Sequence, residues 1–268
     1  MSRATRRDAL AYAARKPYEN VFLQWVLDGG HGSAALDELV LNRDFRGRVT
    51  GLGYFGAQLV VAADDDAAID ALAVEVRKHR GLRSFVGPQT VVTKLWSRVE
   101  SWHPQPSIVR PYQPLYALTR QALRPGAAVD VRPAHPDEAE LVAENSAEMI
   151  LGELGYDPRA NRAGFIGSVR RAIAAGSWWV WVVDGTLRFQ CNVGPRSDAT
   201  AQLQGVWTPP GLRGHGYASR ALGAIATRLL EREATLSLYV NDFNTAAVAL
   251  YERLGFVQVG AFATYLFA

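Results

Sequence analysis

One cysteine, Cys191, stands among 268 residues. An intrachain disulfide is therefore impossible, and a cysteine-built metal centre is not expected. Cys191 itself reads as a small buried residue on a strand. That usage fits a reducing compartment, and a cytoplasmic location is expected. Long apolar runs are missing too. Leu59 to Ala63 and Trp178 to Val183 are strand-sized, far short of the roughly 20 residues of a membrane helix. The basic N-terminal residues Arg3, Arg6, Arg7, Arg15 and Lys16 are broken by Asp8 and lead into no apolar stretch. A solvated helix start is read there rather than a secretion signal. Lysine is scarce: Lys16, Lys78 and Lys94 are all there is, and the other basic residues are arginine. The net charge of +3 is modest, and no dense basic stripe with interleaved aromatics appears, so nucleic acid is not an expected partner. Low-complexity tracts are absent as well.

What is present suffices for two packed cores: 49% of the residues are apolar and 21% charged. Pattern breaks at Arg120 to Ala128, where Pro125 and Gly126 interrupt any periodicity. A linker over 120–128 is expected between a domain at 1–119 and another at 129–268. Trp102 to Gln113 is proline-rich, and a strand is expected from Leu115 to Leu118. Beyond the linker, Val129 to Arg132 alternates like a strand. Pro136, Asp137 and Glu138 suit a first helical turn, and a second helix from about Asn161 to Ala175 ends at Gly176. Trp178 to Val183 and Leu187 to Val193 flank Asp184-Gly185, a hairpin signal. Ala201 to Trp207 is a third strand, stopped by Pro209 and Pro210. A helix from Tyr217 to about Glu233, a strand from Leu236 to Val240 and a helix from Thr245 to Leu254 follow. Two short strands, Phe256 to Val259 and Ala263 to Phe267, close an α+β order.

The segment between the third strand and its helix carries the chemistry. Arg213, Gly214 and Gly216 lead directly into the helix. Glycines let backbone N–H groups converge on one point, and the helix start adds free N–H groups and positive dipole. This is an anion nest suited to a pyrophosphate.

Arg213-Gly-His-Gly-Tyr-Ala218 resembles the coenzyme A motif of the GNAT acetyltransferase superfamily. A second block agrees: Asn244, Ala247, Leu250, Tyr251, Gly255 and Phe256 resemble that superfamily's Asn-x-x-Ala-x-x-Leu-Tyr-x-x-x-Gly-Phe pattern. Gln204 to Trp207, Ser237 to Thr245 and Val259 to Phe267 resemble, more narrowly, an actinobacterial-type group whose N-terminal domain has no assigned function. Lys16 to Phe22 and Phe85 to Gln89 look like that N-terminal domain.

The resemblance implies acetyl-CoA as co-substrate and no metal. It implies backbone contacts from Val206, Trp207 and Thr208 to the pantetheine arm. The phosphates would fall to Arg213, Gly214, His215, Gly216, Tyr217, Ala218 and Ser219, with Asn244 as a further contact. Tyr251 matches the position that protonates the departing thiolate. The general base is less determined. Gln202, Gln204 and Asn192 stand where acids would serve and cannot take a proton. Glu148, Glu153 and Asp157 lie near the acceptor edge; Glu153 is the candidate, with a water chain as the alternative.

A shift of 155 positions lays Leu95 to Val99 on Leu250 to Leu254 and repeats a strand-helix-strand-helix order, which suggests tandem GNAT-like domains. Each would be a mixed, mostly antiparallel sheet flanked by helices. The first copy is degenerate: Asp64, Asp65 and Asp66 replace the glycine nest, and Trp96 replaces Tyr251. The expected activity is N-acetylation of a small or amino-acid-like amine by direct attack on the thioester, in a monomer or homodimer. A protein lysine or N-terminus as acceptor, or a non-catalytic acetyl-CoA-binding module, are the alternatives.

Overall fold

The computed structural model describes residues 3–124 and 126–267, so Pro125 of the expected linker and the last residue lie outside it. Eleven strands form one sheet, ordered β1-β2-β3-β4-β11-β5-β10-β9-β8-β7-β6. The first half contributes helices α1 (Arg3–Ala13), α2 (Val21–Leu27), α3 (Asp66–Val76) and α4 (Gln89–Val99). Its strands are β1 (Leu39–Arg43), β2 (Val49–Phe55), β3 (Gln58–Ala63), β4 (Ser84–Pro88) and β5 (Ile108–Thr119). The second half contributes β6 (Arg132–Pro133), α5 (Ala139–Leu154), α6 (Arg162–Ala174), β7 (Trp178–Val183), β8 (Thr186–Arg196) and β9 (Ala201–Trp207). It ends with α7 (Tyr217–Leu229), β10 (Thr235–Tyr239), α8 (Thr245–Leu254) and β11 (Val257–Leu266).

Each half covers both faces of its part of the sheet. Leu222, Ile225 and Leu254 from α7 and α8 pack with Phe189 and Leu203 on one face of the second half. Val142 and Ile166 from α5 and α6 pack with Val180 and Leu187 on the other. Full enclosure of a side chain such as Leu222 or Ile225 contributes roughly 1.5–3 kcal/mol. The first half repeats the plan, with α3 and α4 on one face and α1 and α2 on the other. The unit β3-α3-β4-α4-β5 recurs as β9-α7-β10-α8-β11. In both copies the first two strands are parallel, Leu59 facing Phe85 and Leu236 facing Ala201. All other pairs are antiparallel.

The two copies exchange their last strands. β11 pairs with β4 of the first half, and β5 pairs with β10 of the second. β5 and β11 also pair with each other, which makes the sheet continuous. A buried polar chain fixes the junction: Thr264 Oγ1 donates to Gln113 Oε1 (2.6 Å), and Gln113 Nε2 donates to Asn241 Oδ1 (2.9 Å). The segment expected as a linker has no regular structure at its described residues from 121 to 130. It is tied to the second half, because Arg124 N donates to the Leu254 carbonyl (3.0 Å) and the Arg120 guanidinium to that of Leu230.

Several boundaries differ from expectation. β5 begins at Ile108, not Leu115, and takes in Pro111 and Pro114. Over 108–114 its ladder runs along β11 only, while β10 pairs from Leu115 onward. That open edge tolerates residues without an N–H. The two expected closing strands are one, β11, with register shifts at Gln258/Gly260 and Phe262/Thr264. The bulges absorb the break in alternation that the sequence shows. The strand expected from Val129 shrinks to Arg132–Pro133, an edge piece ended by prolines. The helix expected to reach Glu233 stops at Leu229. The Asp184-Gly185 hairpin has φ of 49° and 71°, the double positive turn that such a pair favours.

Candidate functional site

β9 and β10 pair only at Leu236 with Ala201 and Ser237 with Gln202, then part. On its other edge β9 slips. Asn192 faces Gln204 while Gln190 faces Trp207, so three steps of β9 oppose two of β8. The extra residue is a bulge at Gly205 and Val206. Gly205 has φ +55°, and a β-carbon there would lie 3.3 Å from the Trp178 ring. A cavity of about 1160 Å³ opens at this divergence, lined by Gly205 and Val206 from β9 and by Leu238, Tyr239 and Val240 opposite. An extended chain inserted here would meet backbone donors and acceptors that no neighbouring strand uses.

The glycine loop stands at the far end of β9. Gly214 and Gly216 have φ of +80° and +74°, and β-carbons at either would meet nothing within 4 Å. The hollow is open. α7 begins at Gly216 with no side-chain cap and no acid in its first turn. Its leading N–H groups are left for a ligand. Arg213 is fixed by a hydrogen bond from Nε to the Thr208 carbonyl (3.1 Å) and stacks 4.4 Å over the Trp207 ring. His215 Nδ1 lies 2.9 Å from the Arg213 carbonyl on the exposed loop. The buried Thr208 hydroxyl and Trp207 indole N–H have no partner among the described residues. Polar atoms so placed suit a polar ligand at the loop.

Tyr251, on α8, is buried to 5% exposure yet lines the cavity. Burial, with Cys191 and Glu153 nearby, pushes its pKa well above the tyrosine norm. The phenol therefore holds its proton at physiological pH. Asn244 caps α8, its Oδ1 accepting from Ala247 N (3.2 Å), and also lines the cavity. Cys191 is sealed in the core with its thiol pushed up to about 12 by burial, which leaves it unreactive.

Of the three carboxylates near the acceptor edge, Glu153 alone lines the cavity. The residue is exposed as a whole, yet desolvation of its carboxyl by the surrounding protein raises its pKa, against the pull of Arg110 and Arg213. Glu148 is exposed outside the cavity. Asp157 is engaged by Arg159 at 2.8 Å. Gln204 Nε2 donates to Gln202 Oε1 (3.0 Å). Asn192 and Gln204 face the cavity as amides. Val206, Asn244, Glu153 and Tyr251 thus meet in one space. Trp207, Thr208 and the residues from Arg213 to Ser219 lie outside its wall, on the side of the glycine loop.

Reading along the sequence missed the residues that the first half brings. Arg110 and Gln113 of β5, Phe22 and Trp25 of α2, and His31 all line the cavity. No local signal marks them, because Asn192, Gln204 and Tyr251, with which they line the cavity, stand far along the chain. Gly205 was missed as well, although a lone glycine inside a strand pattern can signal a bulge.

The first half's counterpart of the nest is closed. Asp64 is bound by Arg15 (2.6 Å), Asp65 caps α3 through Ala68 N (2.8 Å), and Asp66 is bound by Lys94 (2.9 Å). Trp96, at the Tyr251 position, stacks on Tyr265 with centroids 5.3 Å apart. The hollow between β3 and α1 measures about 10 Å³.

The profile of the acetyltransferase (GNAT) family matches residues 134–256, and that of a domain of unknown function (DUF4081) matches residues 40–142. The GNAT match stops at Phe256, one residue before β11 leaves for the first half. The second profile spans Phe85 to Gln89 but not Lys16 to Phe22. No curated protein matches the chain in sequence. Among solved structures, a Drosophila protein is similar at 13% identity, over 99% of this chain and 97% of its own, with a TM-score of 0.70. A GCN5-related N-acetyltransferase from Sphaerobacter thermophilus is similar at 16% identity, over 85% of this chain and 79% of its own, with a TM-score of 0.58. A tandem GNAT protein from the clavulanic acid biosynthesis pathway is similar at 14% identity, over 92% and 87%, with a TM-score of 0.52. At these identities the likeness is one of fold.

Proposed function

We propose that this chain, an acyltransferase whose residues 134–256 match the GNAT family, transfers the acetyl group of acetyl-CoA to the primary amine of a small, amino-acid-like molecule. The observation that carries this is the meeting of Glu153 and Tyr251 in one cavity at the parting of β9 and β10.

Acetyl-CoA, when bound, supplies an activated acyl thioester. The loop from Arg213 to Ser219 would hold its phosphates, and the free edge of Val206, Trp207 and Thr208 would hold its pantetheine arm. The bulge at Gly205 frees backbone N–H groups beside the reacting carbonyl, where a fixed donor stabilises a developing oxyanion. Glu153 takes a proton from the ammonium form of the acceptor, and its raised pKa makes it a stronger base than an ordinary carboxylate. Tyr251 delivers a proton to the departing sulfur. Two protons leave nitrogen: Glu153 passes the first, from the ammonium, to solvent, and the second, lost as the tetrahedral adduct collapses to the amide, replaces the proton that Tyr251 gives to sulfur. Asn192 and Gln204 are left to orient the amine through their amides.

The wall that α2 and His31 supply limits the acceptor to something that enters a shared cavity, which favours a small molecule over a folded protein. The test is release of free thiol from acetyl-CoA across a panel of small amines, with Tyr251→Phe alongside. Turnover that falls about 100-fold in the variant, with acetyl-CoA binding retained, supports the reading. Tight binding without turnover by any amine would make the protein a sensor instead.

A further inference from the structure

The acyl-transfer reading leaves the far wall of the cavity unexplained. That wall is aromatic and belongs to the first half. Trp25 and His31 have ring centroids 5.1 Å apart, and Phe22 lies 5.8 Å from Trp25. Tyr54 backs the group edge-on, 5.4 Å from Phe22 and 5.6 Å from His31. The shelf is pinned rather than loose. The backbone at Gly30 lies flat on Trp25, so that a β-carbon there would fall 1.9 Å from its Nε1. Phe22 and Trp25 are half-buried, and with His31 they keep part of their surface on the cavity.

Charge on the same walls is one-sided. Arg110, Arg171 and Arg196 line the cavity, against Glu153 as the one carboxylate among the described lining residues. Arg196 is neutralised by Glu233 at 3.2 Å. Arg110 and Arg171 have no ion-pair partner within 4 Å among the described residues. Arg110 donates to the Glu153 backbone carbonyl (3.0 Å) and Arg171 to Ser168 Oγ (2.9 Å). Guanidinium groups in a walled cavity, held by neutral acceptors, retain donors for a carboxylate. Arg110 stands beside Glu153, so an acid group bound there would set a neighbouring amine against the proposed base.

We propose that the acceptor is an amine carrying both a carboxylate and a flat apolar group, such as an aromatic α-amino acid, with Arg110 reading the carboxylate and the Phe22–Trp25–His31 shelf reading the apolar group. The inference rests on the acyl-transfer reading for its chemistry and on the first half for its specificity. It gives the degenerate copy a function: the first half lacks a coenzyme site and supplies the acceptor site.

The experiment uses the full chain with four probes: phenylalanine, phenylalanine amide, phenethylamine and alanine. Binding to the CoA-saturated protein is measured calorimetrically, and kcat/KM with acetyl-CoA is measured in parallel. Phenylalanine is expected to bind and react best. Arg110→Gln should lower the phenylalanine-to-amide ratio roughly 10- to 100-fold, a ratio that cancels any general loss at Glu153. Trp25→Ala should lower the phenylalanine-to-alanine ratio by a similar factor. Selective binding without turnover would sink the acyl-transfer reading and leave the acceptor site standing. Turnover with equal ratios in both variants, preference for phenethylamine, or no binding of phenylalanine would overturn the inference.

Discussion

The Arg110 guanidinium, on β5 of the first half, donates a 3.0 Å hydrogen bond to the backbone carbonyl of Glu153, at the end of α5 in the second. The same cation draws the Glu153 carboxyl toward ionisation, while burial pushes the other way and prevails. The first half therefore tunes the carboxyl proposed as the base. As a base Glu153 works when deprotonated, so kcat/KM should rise with pH through its pKa, above the ordinary carboxylate range. Glu153→Gln should abolish that limb and lower the rate about 100-fold or more. Arg110→Ala should move the limb to higher pH, since a cation that favours the carboxylate is gone. A pH profile unchanged in both variants would remove Glu153 from the reaction.

Gly205 sets the shape of the cavity. A residue other than glycine at φ +55° is strained, and Trp178 stands 3.3 Å from the new β-carbon. Gly205→Ala should cost roughly 1–3 kcal/mol in denaturant unfolding. It should also depress kcat more than it weakens acetyl-CoA binding, because the bulge presents the donors beside the thioester. Equal stability and activity in the variant would count against that role.

The proposed coenzyme role of the loop from Arg213 to Ser219 is testable without an acceptor. Acetyl-CoA and free CoA should both raise the melting temperature of the native protein, since a ligand that binds only the folded state stabilises it. The double variant Arg213→Ala, Gly216→Glu should lose that shift, because it removes a cation and sets a carboxylate at the open helix start. Tyr251→Phe should keep it. A shift retained by the double variant would put the coenzyme elsewhere.

Arg132 and Glu138 pair through two 2.7 Å bonds, and His135 N donates to the same carboxylate. Arg132, foremost, holds the Glu138 carboxyl below its usual pKa. A depressed carboxylate stabilises the fold above its unfolded pKa, roughly 4.3, and loses that contribution as pH falls through its folded value. Glu138→Gln should cost about 1.5–3 kcal/mol at pH 7. The difference from the native protein should vanish in acid. A gap that does not shrink as the pH falls would mean that packing, not charge, is responsible.

Exchange of β5 and β11 ties the halves into one sheet. Urea unfolding followed by tryptophan emission and by far-ultraviolet circular dichroism should give coincident single transitions. Two separated transitions would mean that the halves fold independently despite the exchange.

Much of this was written locally. The proline stop at Pro209, the glycines before Tyr217, the Asp184-Gly185 turn and the helix from Thr245 to Leu254 are decided by φ preference, missing N–H groups and 3.6-residue spacing. These are properties of neighbouring residues, so the glycine loop could be picked out, while Asn244 and Tyr251 stood out through the resemblance to the GNAT pattern. The acids Asp64 to Asp66 likewise marked the first copy as unfit for pyrophosphate. What no window of sequence carries is partnership across distance. That β11 would complete the first half, that prolines at 111 and 114 would sit on an open edge, and that Arg110 and Trp25 would line one cavity with Tyr251 all depend on which strand edge lies beside which. Edge hydrogen-bonding capacity is the same at every strand, so only the closed sheet and the packed helices choose among the possible partners.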